Sequence, residues 1–249
     1  MNKSIEDHIS PMDTQRFGFK IAKIDDFSGN PQFLCNGMKE LGVKLIISRI
    51  KTSRGETINT LEDLGFRVKD IQLKYWYDLH QFNFNYSRLP ADFIIREAVP
   101  NDLPQLVEIA AGAFRGYGHY AADTRLDKEK CLEIYKDWTR RSLLDKNVAD
   151  KFFLAEKDDI ILGFCAYKMM EEAGEKKVVC ILVAVSTACR GQGVYPALSR
   201  RGSLWGVDLN LKWHEGTVLA TNYPMNRSLA KRGFRIVDSM VTMHCWLDK

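Results

Sequence analysis

Long apolar runs are missing from this 249-residue sequence. The longest, Val178 to Val185, is eight residues, against the roughly 20 that a membrane-spanning helix needs. No transmembrane segment is therefore expected. The opening Met1-Asn2-Lys3-Ser4-Ile5-Glu6-Asp7-His8 mixes charges and has no apolar stretch, which argues against a cleavable secretory signal. Charge of one sign is also scarce. Lysine and arginine total 36 against 32 acidic residues, a net +4, and the basic residues are dispersed. That field is too weak for a nucleic-acid binder. The six cysteines (Cys35, Cys131, Cys165, Cys180, Cys189, Cys245) form no Cys-x-x-Cys and have no histidine at metal-ligand spacing. No metal site is expected, and reduced thiols point to a cytoplasmic home. Low-complexity segments do not occur.

What is present is an ordinary globular composition, 45% apolar and 27% charged. The length suits about two domains at ~100–200 residues each. An internal repeat supports that division. Leu61-Glu62-Asp63-Leu64-Gly65-Phe66-Arg67-Val68-Lys69-Asp70 returns as Leu229-Ala230-Lys231-Arg232-Gly233-Phe234-Arg235-Ile236-Val237-Asp238. The shared Leu-x-x-x-Gly-Phe-Arg-(Val/Ile)-x-Asp reads as a helix end, a glycine cap and a strand. A strand-like segment precedes each copy, residues 43–48 in one and 217–221 in the other. Duplication explains both features; a common helix-to-strand turn used twice would explain only the first. A polar, proline-bearing stretch at Ser87–Asp92 sets the expected boundary, giving domains 1–90 and 91–249.

In the second part, periodicity predicts a strand at 93–96, a helix over 103–114 and another over 128–144. A hairpin turns at Lys157-Asp158-Asp159 between strands 152–155 and 160–167. Strand 178–185, a glycine-rich turn, a helix from about 196 to 208, strand 217–221, a short helix and a strand over 236–247 complete the order. This is a mixed-sheet α/β domain of the α+β kind.

The glycine-rich turn carries the chemistry. An apolar strand ends at Val183-Ala184-Val185 and runs through Arg190-Gly191-Gln192-Gly193 into a helix beginning Val194-Tyr195-Pro196. Glycines let successive backbone N–H groups converge, and a helix N-terminus adds positive dipole, a combination suited to a diphosphate. The turn is neither a P-loop nor a dinucleotide fingerprint. A plain tight turn would use the same glycines.

Arg190-Gly191-Gln192-Gly193 after its strand resembles the acyl-CoA diphosphate loop of GNAT-superfamily N-acyltransferases, Gln/Arg-x-x-Gly-x-Gly/Ala. Residues 217–221 with Asn222, then Gly233-Phe234 eleven residues later, are similar to that family's later strand, Asn and Gly-Phe element. The resemblance covers about 93–249. It implies a GNAT fold, with coenzyme A, as acyl-CoA, held by Val183, Ala184, Val185, Arg190, Gly191, Gln192, Gly193, Val194, Tyr195 and Asn222. Two departures stand out. Tyr195 occupies the last loop position, where Gly or Ala is usual. Leu229 stands seven residues after Asn222, where many relatives have a tyrosine that protonates the departing thiolate. Tyr223 and Tyr195 are the nearby phenols able to replace it.

Upstream, Asp13-Thr14-Gln15-Arg16-Phe17-Gly18-Phe19-Lys20-Ile21 resembles the opening of bacterial nucleotide-sugar N-acyltransferases of the dTDP-fucosamine acetyltransferase type. Those enzymes join a degenerate GNAT-like N-terminal domain to a catalytic one. Gly118-His119-Tyr120-Ala121-Ala122-Asp123-Thr124-Arg125-Leu126, with Tyr135 and Trp138, is similar to their acceptor side. The resemblance implies a dTDP-linked amino-deoxy sugar as acceptor, contacted by Tyr117, Tyr120, Arg125 and Trp138. Surface-polysaccharide synthesis and a homodimer are the setting it implies.

Direct attack of an amine on a thioester needs no cysteine nucleophile. It needs two positioned substrates, an oxyanion-binding N–H, assigned to Val183 or Ala184, and a base. His119 and Asp123, in a Gly- and Tyr-rich loop between helices, are the candidates. A structural histidine and a helix-capping aspartate are the plainer alternatives for these two. His8, His214 and His244 read as structural or surface residues. The run Tyr75-Trp76-Tyr77 with Phe82, Phe84 and Tyr86 suits either base stacking or a domain interface. Two other functions fit the same signals: acetylation of another small-molecule or peptide amine, and acyl-CoA binding without turnover.

Overall fold

The computed structural model describes residues 4–25, 27, 29–82, 92–172 and 174–248. The expected junction at 87–92 lies outside them apart from Asp92, as do Phe84 and Tyr86 of the aromatic run.

In chain order the elements are α1 (Pro11–Phe17), β1 (Ile21–Lys23), α2 (Pro31–Glu40), β2 (Leu45–Lys51), α3 (Gly55–Asp63), β3 (Arg67–Asp78), β4 (Ile94–Glu97), α4 (Leu103–Phe114), α5 (Gly118–Ala121), α6 (Lys128–Leu144), β5 (Lys151–Lys157), β6 (Ile160–Glu172), β7 (Glu175–Val185), α7 (Val194–Asp208), β8 (Trp213–Leu219), α8 (Tyr223–Lys231) and β9 (Arg235–Trp246). Local chemistry sets most boundaries. Asn30, Asp127 and Asn222 cap α2, α6 and α8 by accepting backbone N–H bonds. Asp158 and Asp159 both take positive φ, the conformation a tight hairpin turn requires between β5 and β6.

Helices α4 and α6 match the periodicity residue for residue. Strand β8 starts four residues before its apolar run, at Trp213. Its first half includes His214 and Glu215, which are 1% and 6% exposed. Buried polar residues with partners look like loop in a sequence.

The strands form one sheet in the order β1-β2-β9-β3-β8-β7-β6-β5-β4. Its centre is symmetric. Strands β1 and β2 are parallel, as are β7 and β8, while β2, β9, β3 and β8 pair antiparallel in succession. The register follows the sequence repeat. Displacing residues by the interval between Gly65-Phe66 and Gly233-Phe234 turns the pair Arg67–His244 into Arg235–Trp76. The same displacement turns Leu45–Trp246 into Trp213–Asp78, and Lys51–Met240 into Leu219–Gln72. The two copies have exchanged their last strands: β9 lies between β2 and β3, and β3 lies between β9 and β8.

Helices cover both faces. Side chains of α2 and α3 pack on Ile46, Ile50, Val241, Met243 and Cys245. On the same face α7 covers Cys165, Tyr167 and Val178, while Leu229 of α8 meets Tyr75 and Val218. Gly202 lets α7 lie against the Tyr167 ring, which a Cβ there would meet at 2.3 Å. The opposite face carries α4 and α6 over Leu154, Phe164, Ala166, Leu182 and Ala184. Next to them Phe17 of α1 and Tyr120 of α5 meet Leu45 and Ile47. Among the described residues no helix is long and apolar enough to cross a membrane.

Candidate active site

Strands β7 and β8 pair only from Lys177 opposite Trp213 to Cys180 opposite Gly216. Beyond that point β7 continues to Val185 against β6 alone, with an irregularity at Ile181, and β8 continues to Leu219 against β3 alone. Two parallel strands separating in mid-sheet leave a wedge between them, with backbone N–H and C=O groups along its edges. Val183 and Ala184, the expected oxyanion donors, lie in the separated part of β7. The closed end is pinned by a buried ion pair, Lys177 Nζ to Glu215 at 2.6 Å, whose side chains are 5% and 8% exposed. Glu172 also pairs with Lys177, and the Trp76 indole N–H donates to Glu215 at 2.8 Å.

At the open end the chain leaves β7, makes one 3-10 turn over Thr187–Cys189, and enters α7. Gly191 and Gly193 take φ of +78° and +81°, where a side chain would be strained. Gly193 is the N-cap of α7 and has no side chain to cap with. The first helical bond runs from the Ala197 N–H to the Gly193 carbonyl, which leaves the Val194 and Tyr195 amides outside the helical ladder. Arg190, Gly191 and Gln192 are exposed. Among the described residues Arg190 has no acidic partner. Its guanidinium, unladdered amides and the dipole of a 15-residue helix fit the diphosphate of coenzyme A. Val185 and Val194 serve this loop indirectly, packed in the cluster beneath α7.

On the other face three residues form a buried chain. Asp123 Oδ2 lies 2.7 Å from His244 Nδ1, and His244 Nε2 lies 2.9 Å from His119 Nδ1. Asp123 also accepts from the Trp246 indole and the Arg125 backbone N–H, with Lys69 Nζ 3.4 Å away. Burial alone would raise the Asp123 carboxyl. The hydrogen bonds from His244, Arg125 and Trp246 outweigh it and hold the group well below the usual carboxylate range. Burial, reinforced by His244, Arg49 and Lys23, holds His119 well below its ordinary 6.5. His244 is lowered by burial too, with Asp123 opposing. Both imidazoles are therefore neutral at neutral pH, and the chain fixes their tautomers. The carboxylate accepts from His244 Nδ1–H, so His244 Nε2 accepts from His119 Nδ1–H. The lone pair of the chain then sits on His119 Nε2, which has no protein partner among the described residues. His119 and Asp123 are thus joined by His244, a residue whose sequence neighbourhood showed no polar company. Its partners come from 121 and 125 residues away, and no local signal marked it.

The remaining candidates fall in different places. Tyr117 stands beside the Leu219 backbone and the Asn222 side chain at the end of β8, and burial raises its phenol. Asn222 also accepts from the Met225 N–H to cap α8. Tyr120 is 6% exposed and donates to Asp13 at 3.1 Å. Arg125 lies 3.8 Å from the Trp246 ring and pairs with Asp248 at 2.7 Å. Trp138 packs on the cluster beneath α4 and α6. These contacts hold Tyr120, Arg125 and Trp138 in place within the fold. Tyr195 points inward beneath α8 near Leu229, its phenol raised by burial, with the Arg232 guanidinium 5.4 Å from its ring. Tyr223 is 65% exposed on the first turn of α8. In the aromatic run Trp76 packs on Trp213 with the rings tilted and Tyr77 stacks on Phe234, so these rings are occupied within the fold.

The model of the acetyltransferase (GNAT) family matches residues 103–234. No curated protein matches the sequence. Among solved structures, a tandem GNAT protein from the clavulanic acid biosynthesis pathway, solved without AcCoA, superposes with a TM-score of 0.66 at 12% identity. The match covers 92% of this chain and 76% of that one. A GCN5-related N-acetyltransferase from Sphaerobacter thermophilus gives 0.58 at 19% identity, over 87% of this chain and 65% of that one. This chain thus spans 65% of the Sphaerobacter protein's length. A GCN5-related N-acetyltransferase from Kribbella flavida gives 0.58 at 12% identity, covering 90% and 80%. At these identities the likeness is one of fold.

Proposed function

The chain belongs to the acetyltransferase (GNAT) family, and from that premise we propose that it moves an acyl group from acyl-CoA to a primary amine on a dTDP-linked amino-deoxy sugar. Surface-polysaccharide synthesis in the cytoplasm is the setting this reading implies. One observation carries it. The wedge between β7 and β8 has an anion cradle at its open end, and a buried Asp–His–His chain with a free imidazole nitrogen lies on the face where α5 and α6 gather.

Acyl-CoA enters as a substrate. Its diphosphate would rest on Arg190 and the amides of Gly191 to Tyr195, with the thioester directed into the wedge. The amine nitrogen forms a C–N bond to the thioester carbon. An N–H on the free edge of β7, at Val183 or Ala184, meets the charge that develops on the carbonyl oxygen. His119 Nε2 takes the proton the amine gives up, and His119 Nδ1–H shifts toward His244 Nε2, beside the Asp123 carboxylate. The C–S bond breaks with its electron pair on sulfur. A thiol of pKa about 8.5 leaves readily, so the apolar Leu229 in place of a tyrosine does not block turnover.

The sugar acceptor is supported by the segments that carry the nucleotide-sugar resemblance. They pack on one another, Tyr120 on Asp13 and the ring of Phe17 on that of Tyr120. Thiol release on mixing acetyl-CoA with a dTDP-linked amino-deoxy sugar tests the proposal. Release with that acceptor supports it. Release only with other amines replaces the acceptor, and tight acetyl-CoA binding without release on any amine refutes turnover.

A further inference from the structure

We infer that Asp70, contributed by the N-terminal repeat, binds the amino group of the acceptor as it arrives, an ammonium that sheds one proton to solvent before the neutral amine attacks and gives up its second to His119; this rests on the acyl-transfer reading. Both Asp70 carboxylate oxygens are buried and accept no hydrogen bond from the described residues. A buried carboxylate without a partner is costly, and proteins keep one where a ligand completes it.

The repeat supplies an internal control. The counterpart of Asp70 is Asp238, on β9. Asp238 is paired with Lys51 Nζ at 2.8 Å and with the Ser239 N–H at 2.9 Å. The position of Lys51 in the other copy is held by Leu219, and that of Lys74, whose charge also acts on Asp238, by Thr242. Around Asp238 the fold supplies its own cations. Around Asp70 the same two positions are an apolar and a neutral residue. Neighbouring Lys69 is directed to Asp123 instead. Arg49 lies on the same face, but its guanidinium is turned to the hydroxyl of Thr242 at 3.3 Å and makes no ion pair with Asp70, which leaves room for a bound cation to supply the counter-charge. Among the described residues no three acidic, histidine or cysteine ligands gather for a metal, and an amine acceptor is itself the cation that a single buried carboxylate suits.

Its place in the sheet fits an acceptor site. The pairing of β3 with β8 ends at Gln72 opposite Leu219. Asp70 is two residues further, about 7 Å along the strand, past the end of β8 at the mouth of the wedge. Alternation puts it on the same face as its partner Thr242 and as His244, the face of α4 to α6. Its charge is felt by Tyr117, Tyr135 and His244. Strand exchange thus brings an anchor from one copy and His244 from the other to one end of the wedge. The copy that lacks the Arg-Gly-Gln-Gly loop supplies the amine anchor.

Asp70→Asn and Asp70→Ser are compared with the wild type by thiol release and calorimetry. The acceptors are a dTDP-amino-deoxy sugar, the same sugar with hydroxyl in place of the amine, a free amino sugar and a peptide with a free N-terminus. Both variants should raise the KM of the preferred amine at least tenfold and lose the preference for amine over hydroxyl in direct binding. The Kd for acetyl-CoA should be unchanged. Melting temperature should stay level or rise, because a lone buried carboxylate is removed, whereas loss of a structural aspartate would lower it. Unchanged KM and retained amine preference in either folded variant overturn the inference. Calorimetry reads Asp70 without turnover, so an amine that binds through Asp70 but releases no thiol refutes acyl transfer and leaves the anchor standing. An absence of binding by every amine to the wild type refutes both.

Discussion

Asp123 and His244 lie 121 residues apart in the chain and 2.7 Å apart in the fold, and this contact sets the protonation of everything beyond it. The carboxylate fixes the proton on His244 Nδ1, which leaves His244 Nε2 to accept from His119. Asp123→Asn keeps the shape but removes the charge and frees the tautomer. Turnover should fall on the order of 10²–10⁴-fold, with acetyl-CoA affinity unchanged by calorimetry. An unaltered kcat in Asp123→Asn and in His119→Gln would remove the chain from catalysis.

The pH profile should carry the mark of the buried histidines. His119 must be neutral to accept a proton, and its surroundings hold it well below 6.5. Wild-type kcat should therefore stay level from alkaline pH through neutrality, with its acid limb below pH 6.5. A midpoint above that value, read from a stopped thiol assay, contradicts the assignment of His119 as base.

The glycine cradle predicts a loss confined to the cofactor. Gly193→Val places a β-branched residue at φ +81°, which costs about 1–2 kcal/mol, and puts a side chain among the phosphate-binding amides. Acetyl-CoA Kd should rise at least tenfold, while the secondary structure seen by circular dichroism is kept. Arg190→Ala should weaken binding less and reduce its salt dependence. Unchanged affinity in both variants would remove the diphosphate from this loop.

Stability has its own test at the closed end of the wedge. Glu215→Ala leaves Lys177 buried with only the exposed Glu172 for charge, and strips the Trp76 indole of its acceptor. The expected cost is about 3 kcal/mol, read by urea unfolding at neutral pH. A loss under 1 kcal/mol would show that the pin is not needed to hold β7 against β8.

Acid should destabilise the fold before its carboxylates titrate. Burial, with Arg232 nearby, lowers His214 from 6.5 to about 3. Below pH 6.5 the unfolded chain binds a proton that the folded chain refuses, so acidification favours unfolding. The loss from this residue is about 2 kcal/mol between pH 7 and pH 5. His119 and His244 add in the same direction. His214→Asn, which retains a polar atom for the Ser203 hydroxyl, should have the shallower pH dependence. An equal slope would place the titration elsewhere.

The sequence by itself determined the features that depend on neighbours in the chain. Helices 103–114 and 128–144 follow from apolar residues recurring on one face, and Asp127 starts the second by capping it. The cradle follows from Gly191 and Gly193, because positive φ is a property of single residues. The repeat fixed two equivalent strand–helix–strand units, and the glycine-rich turn with Asn222 and Gly233-Phe234 led toward the family that residues 103–234 match. Tertiary structure decided how those units combine. Exchange of β3 and β9 is a matter of pairing between distant segments, and either partner order satisfies the same apolar alternation. That exchange placed His244 between His119 and Asp123. It left Asp70 without the cation that Lys51 gives Asp238. Charge compensation is a property of three-dimensional neighbours, and here those neighbours come from strands far apart in the chain.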